Sequence, residues 1–206
     1  QMATSQSSTR TASVERSTKE TQISIKVNID GTGVHQVSTG IGFFDHMLSA
    51  LSKHSRIDMM IQVKGDLEVD DHHTVEDTAL ALGQAMDKAL GERKGIRRYG
   101  TAFAPLDEAL SRCVVDVSSR PFCVANFRIK REKIGQLSVE MIPHFFVSLA
   151  QTARLTLHIE NLYGENSHHL SESAFKACAL ALRKAFSLDC DQRLMHDIPS
   201  TKGVLE

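Results

Sequence analysis

The chain lacks an excess of charge of either sign. Its 24 Lys and Arg are balanced by 25 Asp and Glu, for a net charge of −1. That balance argues against broad nucleic-acid binding, which needs a basic surface. It also lacks any apolar run of membrane-spanning length. The Ser/Thr/Gln-rich first 20 residues lack the apolar stretch of a signal peptide, and no transit peptide is recognisable, so a cytoplasmic protein is expected. C-x-x-C spacing is missing too. Cys113, Cys123, Cys178 and Cys190 therefore read as buried or free thiols in a reducing compartment. What remains, 206 residues at 41% hydrophobic and 24% charged, describes an ordinary globular chain with a core.

Two basic clusters stand out, Arg93-Lys94…Arg97-Arg98 and Arg128…Lys130-Arg131…Lys133. The second reads more readily as solvated charge at element ends. Residues 1–13 are expected to form a disordered tail.

Along the chain, Ile23, Ile25, Val27 and Ile29 alternate with polar residues as in a half-buried strand. Asp30-Gly31 offers a turn, after which Val34–Ser38 is expected to return as the paired strand. Phe43, Met47, Leu48 and Leu51 recur at helical spacing over about 42–54. Residues 57–63 alternate again, and the run from His72 to Leu90 is helical with Gly91 as its stop.

The second half repeats this order. Strands are expected near 109–118 and 122–128, then a helix over 137–153, a strand from Leu155 to Ile159 and a helix from Ser171 to Phe186. Each half thus reads strand, strand, helix, strand, helix. The expectation is an internally duplicated α+β fold whose halves, 14–95 and 96–206, pack as a pseudo-symmetric pair.

The duplication also carries the chemistry. His-His-x-x-Glu occurs as His72-His73-Thr74-Val75-Glu76 and as His168-His169-Leu170-Ser171-Glu172. His46 lies 26 residues before the first copy and His144 lies 24 before the second. On a helix, His72 and Glu76 share a face, as do His168 and Glu172. Adjacent histidines diverge by about 100° around the axis, so each pair more naturally serves two ions than one. Eight imidazole and carboxylate donors suit two ions with about four protein ligands each. The absence of thiolate disfavours a structural zinc site and fits Mn, Fe, Co or catalytic Zn.

A single His-His pair would more often be a polar helix start, with Asp70-Asp71 or Asn166-Ser167 as cap. Two copies in matching context favour metal. His35, His54, His158 and His196 share no such repeat and read as surface or core residues.

Taken together, Arg16-x-Thr18-x-Glu20-Thr21, Phe44-Asp45-His46-Met47, Asp71-His72-His73-x-x-Glu76-Asp77, Glu165-Asn166-x-His168-His169-x-x-Glu172 and Ser200-Thr201-Lys202-Gly203 resemble the imidazoleglycerol-phosphate dehydratases of histidine biosynthesis. The resemblance runs over about residues 10–206 and is to the monofunctional form, without an attached phosphatase domain. It implies a fold like domain 2 of ribosomal protein S5, a homo-oligomer of 24 subunits with active sites between subunits, and two Mn2+ per site.

It further implies His46, His72, His73, Glu76, His144, His168, His169 and Glu172 as metal ligands. Arg98, Arg120, Lys176, Ser200 and Lys202 are implied as phosphate-binding residues, and Glu20 as a substrate-contacting carboxylate. The implied reaction is the dehydration of imidazole-glycerol phosphate to imidazole-acetol phosphate, with Glu20 as the candidate base and Glu172 as its rival. Two other classes share the double motif. A dinuclear phosphate-ester hydrolase would release free phosphate. A metal-storage cage, or an assembly whose metals only cement it, would be marked by unchanged catalysis after full metal removal from the intact assembly; ferritin-type storage, however, uses Glu-x-x-His, the reverse of the order here.

Overall fold

A computed structural model describes residues 10–205, apart from the side chain of Gln192. The chain begins with strands β1 (Thr11–Ser17), β2 (Thr21–Asn28) and β3 (His35–Ser38), then helix α1 (Gly42–Ser55), β4 (Asp58–Gly65) and α2 (His72–Leu90). The second half gives β5 (Tyr99–Leu106), β6 (Ala109–Asp116) and β7 (Phe122–Asn126). A two-stranded excursion follows, β8 (Lys133–Ile134) with β9 (Leu137–Ser138), and then α3 (Met141–Ala153), β10 (Thr156–Tyr163) and α4 (Ser167–Phe186).

The two main sheets have the same plan. One runs β1-β2-β4-β3 and the other β5-β6-β10-β7. In each, the first three strands are antiparallel and the fourth joins in parallel, β3 to β4 and β7 to β10. The duplication expected from the motifs is therefore a duplication of the fold, with one strand more in each main sheet than expected.

Those extra strands, β1 and β5, lack a strong apolar signal. β1 buries Val14 as its one large apolar side chain, and β5 turns Gly100, Ala102 and Ala104 inward. The expected tail of residues 1–13 is overtaken at Thr11, where β1 pairs in register with Asn28 of β2. The remainder, residues 1–9, lies outside the described residues.

The expected hairpin between residues 23–29 and 34–38 does not form. Both edges of β2 are taken, by β1 and β4, so β3 pairs with β4 instead. Asp58 fixes the turn between them: its Oδ1 accepts the backbone N–H groups of Thr32, Gly33 and Val34 at 2.8–2.9 Å.

All four helices lie against the inner sheet faces. Helices α1 and α2 cover the first sheet and α3 and α4 the second, while α1 packs on α4 and α2 on α3 across the halves. The α2–α3 approach is tight at Gly83, where an added Cβ would lie 2.7 Å from the Leu149 carbonyl oxygen. Arg93, buried, ties the ends of both helices by donating to Asp87 and to the carbonyls of Ala153 and Arg154.

At the helix crossing, Phe44, Phe145 and Phe175 meet with centroid separations of 5.6 and 5.2 Å, in edge and tilted arrangements typical of aromatic pairs. These rings are two residues before His46, one after His144 and three after Glu172. The core thus sets the positions of the histidines above it. Among the described residues the cysteines are free, and Cys113 and Cys178 are buried.

Candidate metal centre and phosphate cleft

The capping expectation holds in altered form. Asn166 Oδ1 accepts from the N–H of His168 and His169 at the start of α4. At the start of α2, Asp70 caps His72 instead of the adjacent Asp71. Asp71 reaches across to Ser138, accepting its N–H and hydroxyl and pinning β9 to the helix.

From these helix starts, two equivalent three-donor clusters emerge. His46 on α1 meets His168 and Glu172 on α4; His144 on α3 meets His72 and Glu76 on α2. Within each cluster the donor atoms lie within 4.8 Å of one another. Glu172 Oε2 is 3.1 Å from His46 Nε2 and 3.0 Å from His168 Nε2. Glu76 Oε2 is 3.3 Å from His72 Nε2 and in hydrogen-bond contact with His144 Nε2.

Each cluster therefore joins one helix from each half of the chain. A divalent ion bonded at about 2.1 Å would hold neighbouring donors about 3 Å apart, so small adjustments suffice for the present donors to grip one. Burial pushes the Glu172 carboxyl up, but Lys176, His46 and His168 outweigh it and hold it at about 2. Glu76 is lowered as well, chiefly by its bond to His144. Both carboxylates are thus ionised at neutral pH and able to serve as ligands.

The second histidine of each pair turns away from its cluster, as a separation of about 100° per residue requires. Ring centroids are 6.1 Å apart in both pairs. Each outward histidine is bracketed by two carboxylates. His73 Nδ1 is 2.9 Å from Asp66, and its Nε2 lies 3.8 Å from Glu20. His169 Nδ1 is 2.7 Å from Glu108, and its Nε2 lies 3.8 Å from Asp107.

The bonds to Asp66 and Glu108 raise the two imidazole pKa values. Glu108 itself is held at about 2, first by the Asn166 N–H and then by His169. A carboxylate on Nδ1 fixes the ring and leaves Nε2 as the nitrogen that could serve as a donor. Asp66, Asp107 and Glu108 carry no sequence signal: Asp107 and Glu108 come from a turn about 60 residues from His169, and Asp66, though only seven residues before His73, lies outside its helix.

Glu20 sits on a built turn. Thr18 Oγ1 accepts the N–H of Glu20 and Thr21 at 3.1 and 3.0 Å. Arg16 and Thr21 both donate to Asp77, which is buried next to Glu76 on α2. The Arg16-x-Thr18-x-Glu20-Thr21 motif is thereby fastened to the helix that carries His72 and Glu76, through Asp77, which the sequence motif offered only as a neighbour of Glu76.

A separate cleft of about 640 Å³ gathers Arg98, Arg120, Ser200 and Lys202. Arg98 adopts a left-handed backbone, φ 68°, held by bonds to Ala185 and Val117; such strain is typical of functional positions. Its guanidinium forks onto Asp116 at 2.7 and 3.2 Å and donates to the Pro199 carbonyl at 2.7 Å, which ties it to the C-terminal turn. The Arg120 side chain is mostly exposed. Lys176 does not join this cleft within one chain: its Nζ lies 2.7 Å from Glu172 Oε1. His35, His54, His158 and His196 belong to neither cluster.

Residues 39–182 match the family model described as Imidazoleglycerol-phosphate dehydratase. The chain belongs to that family. Imidazoleglycerol-phosphate dehydratase of Phaffia rhodozyma is 56% identical over 201 residues, covering 95% of this chain and 96% of that protein. That of Zymomonas mobilis is 54% identical over 196 residues, covering 95% and 99%. The crystal structure of the Staphylococcus aureus dehydratase superposes with a TM-score of 0.79 at 35% identity, covering 87% of this chain and 99% of that one. The Pyrococcus furiosus dehydratase does so at 0.80 and 36%, covering 93% and 100%. The duplicated α+β fold is thus that of the dehydratase family. No helix among the described residues is long and apolar enough to cross a membrane.

Proposed function

We propose that this protein dehydrates imidazole-glycerol phosphate to imidazole-acetol phosphate in histidine biosynthesis, using two divalent cations, Mn2+ by preference, at each active site. The observation that carries the reading is the pair of clusters in which one glutamate oxygen gathers two imidazole Nε2 atoms. An imidazole and carboxylate donor set without thiolate suits such ions. When bound, the cations supply Lewis acidity and a template for the substrate.

Three donors leave each cluster short of a full ligand set, while His73 and His169 each present an Nε2 that their own cluster does not use. Sites shared between subunits of a homo-oligomer, 24 in the full assembly, would complete both. In this reading the outward histidine of one copy fills the cluster of the next.

Glu20 takes the proton from the substrate carbon. Its side chain is about half exposed at 52%, whereas Glu172 is 12% exposed and already engaged by His46, His168 and Lys176. Arg98 and Arg120 receive the phosphate through paired N–H donors, with Ser200 and Lys202 closing the cleft. Lys176 would reach the phosphate of a neighbouring copy's site. The ligand is a small phosphorylated molecule, not nucleic acid or membrane, and the four free thiols are consistent with a cytoplasmic setting.

The test is direct: Mn2+-loaded protein given imidazole-glycerol phosphate yields the ketone, and no free phosphate accumulates. Absence of the ketone refutes the proposal, and phosphate release would make the protein a hydrolase.

A further inference from the structure

We infer that the two cation sites are unequal: Lys176 weakens the His46–His168–Glu172 cluster, so the His72–Glu76–His144 cluster fills first. This rests on the metal-centre reading above and concerns a difference between sites that the duplicated motif makes look identical. Aligning the two helices from their His-His pairs sets Glu172 against Glu76 and Lys176 against Leu80. Four residues on from each glutamate, one helix therefore carries a cation and the other an aliphatic side chain on the same face.

The contacts follow that difference. Lys176 Nζ sits 2.7 Å from Glu172 Oε1, while Glu172 Oε2 serves His46 and His168, so both oxygens are committed. Glu172 is 12% exposed and Glu76 35%. The groups acting on Glu76 are the imidazoles of His144 and His72, without any ammonium. Leu80 contributes a backbone carbonyl to Thr152 and no charge to the cluster. With neutral imidazoles, the His72–Glu76–His144 cluster offers an arriving cation one net negative charge, and the His46–His168–Glu172 cluster with Lys176 offers none.

A unit charge about 5 Å from a divalent cation, screened as in bulk water at this partly exposed cluster, changes its affinity on the order of tenfold. The outward ligands do not erase the difference, because His73 and His169 are alike in type and each is bracketed by two carboxylates.

The experiment titrates Mn2+ into the metal-stripped full-length protein and follows the free-ion signal by electron paramagnetic resonance. Three proteins are compared: wild type, Lys176→Met and Leu80→Lys. Wild type is expected to show two classes of site, about one each per chain, separated on the order of tenfold. Lys176→Met tightens the weaker class and leaves the tighter one in place; Leu80→Lys weakens the tighter class. A single class in wild type, or two classes that Lys176→Met leaves unmoved, overturns the inference while the metal centre stands. No Mn2+ binding at all overturns the metal centre itself.

Discussion

His46 and Glu172 are 126 residues apart in sequence, yet His46 Nε2 lies 3.1 Å from Glu172 Oε2. The contact crosses the two halves of the chain, and its counterpart, His144 with Glu76, crosses them in the opposite sense. Neither half builds a cluster alone, so each site depends on the packing of α1 on α4 or of α2 on α3.

His46→Ala therefore removes a donor from one cluster only. Bound Mn2+ falls from about two to about one per chain, as expected when one site of a two-ion set loses a ligand. Elemental analysis after gel filtration measures this, and loss of both ions would show that the clusters do not bind independently.

Asp77 anchors Arg16 and Thr21 and through them the turn that presents Glu20. Asp77→Asn keeps the side-chain volume but weakens both bonds. The expected outcome is a fall in kcat of about tenfold, typical of supporting contacts around a metal site, with metal content unchanged. Parallel kinetics and metal analysis separate this from a loss of metal.

Gly95 has φ 66°, and a Cβ there would lie 2.7 Å from the Met195 carbonyl oxygen. Gly95→Ala adds left-handed strain of about 1 kcal/mol and pushes on the segment that leads to Ser200 and Lys202. KM for the phosphorylated substrate is expected to rise severalfold with both metal sites intact. An unchanged KM would detach the C-terminal turn from phosphate binding.

Asp58 gives a pH dependence remote from the metal sites. Burial pushes its carboxyl up, but the N–H groups of Thr32, Val34 and Gly33, with Asn28, outweigh it and leave the pKa below 3.8. A carboxylate lowered by folding stabilises the folded chain above its unfolded pKa, and that contribution is lost as pH falls through the folded value. Asp58→Asn should cost about 1–3 kcal/mol at neutral pH, the usual range for bonds to a charged group. The gap from wild type should close below pH 3.8. Denaturant melts at several pH values check both, and a constant gap would contradict the assignment.

The sequence carried the helices and the His–Glu half of each cluster because both rest on local spacing, but not which upstream histidine joins which pair, since His46 meets the pair of the other half. His72 with Glu76 and His168 with Glu172 need only the helical repeat to share a face, and the turning away of His73 and His169 follows from the same repeat. Strands β1 and β5 were not legible, since Val14 stands almost alone in one and Gly100, Ala102 and Ala104 line the other. The parallel pairing of β3 with β4 is a matter of topology, which a two-residue turn signal does not encode. The carboxylates behind the outward histidines come from loops whose positions only the folded chain sets. Four of the five residues that the resemblance implies for phosphate meet in one cleft; Lys176, on the same helix face as Glu172, takes that carboxylate instead.

The most direct test of the metal centre is a crystal of the assembled protein loaded with Mn2+, examined by anomalous scattering. Two peaks per chain are predicted, one at His46–His168–Glu172 and one at His72–Glu76–His144, each at about 2–2.3 Å from His73 or His169 Nε2 of a neighbouring copy. Peaks elsewhere, or clusters left empty while the protein turns over substrate, would contradict the account.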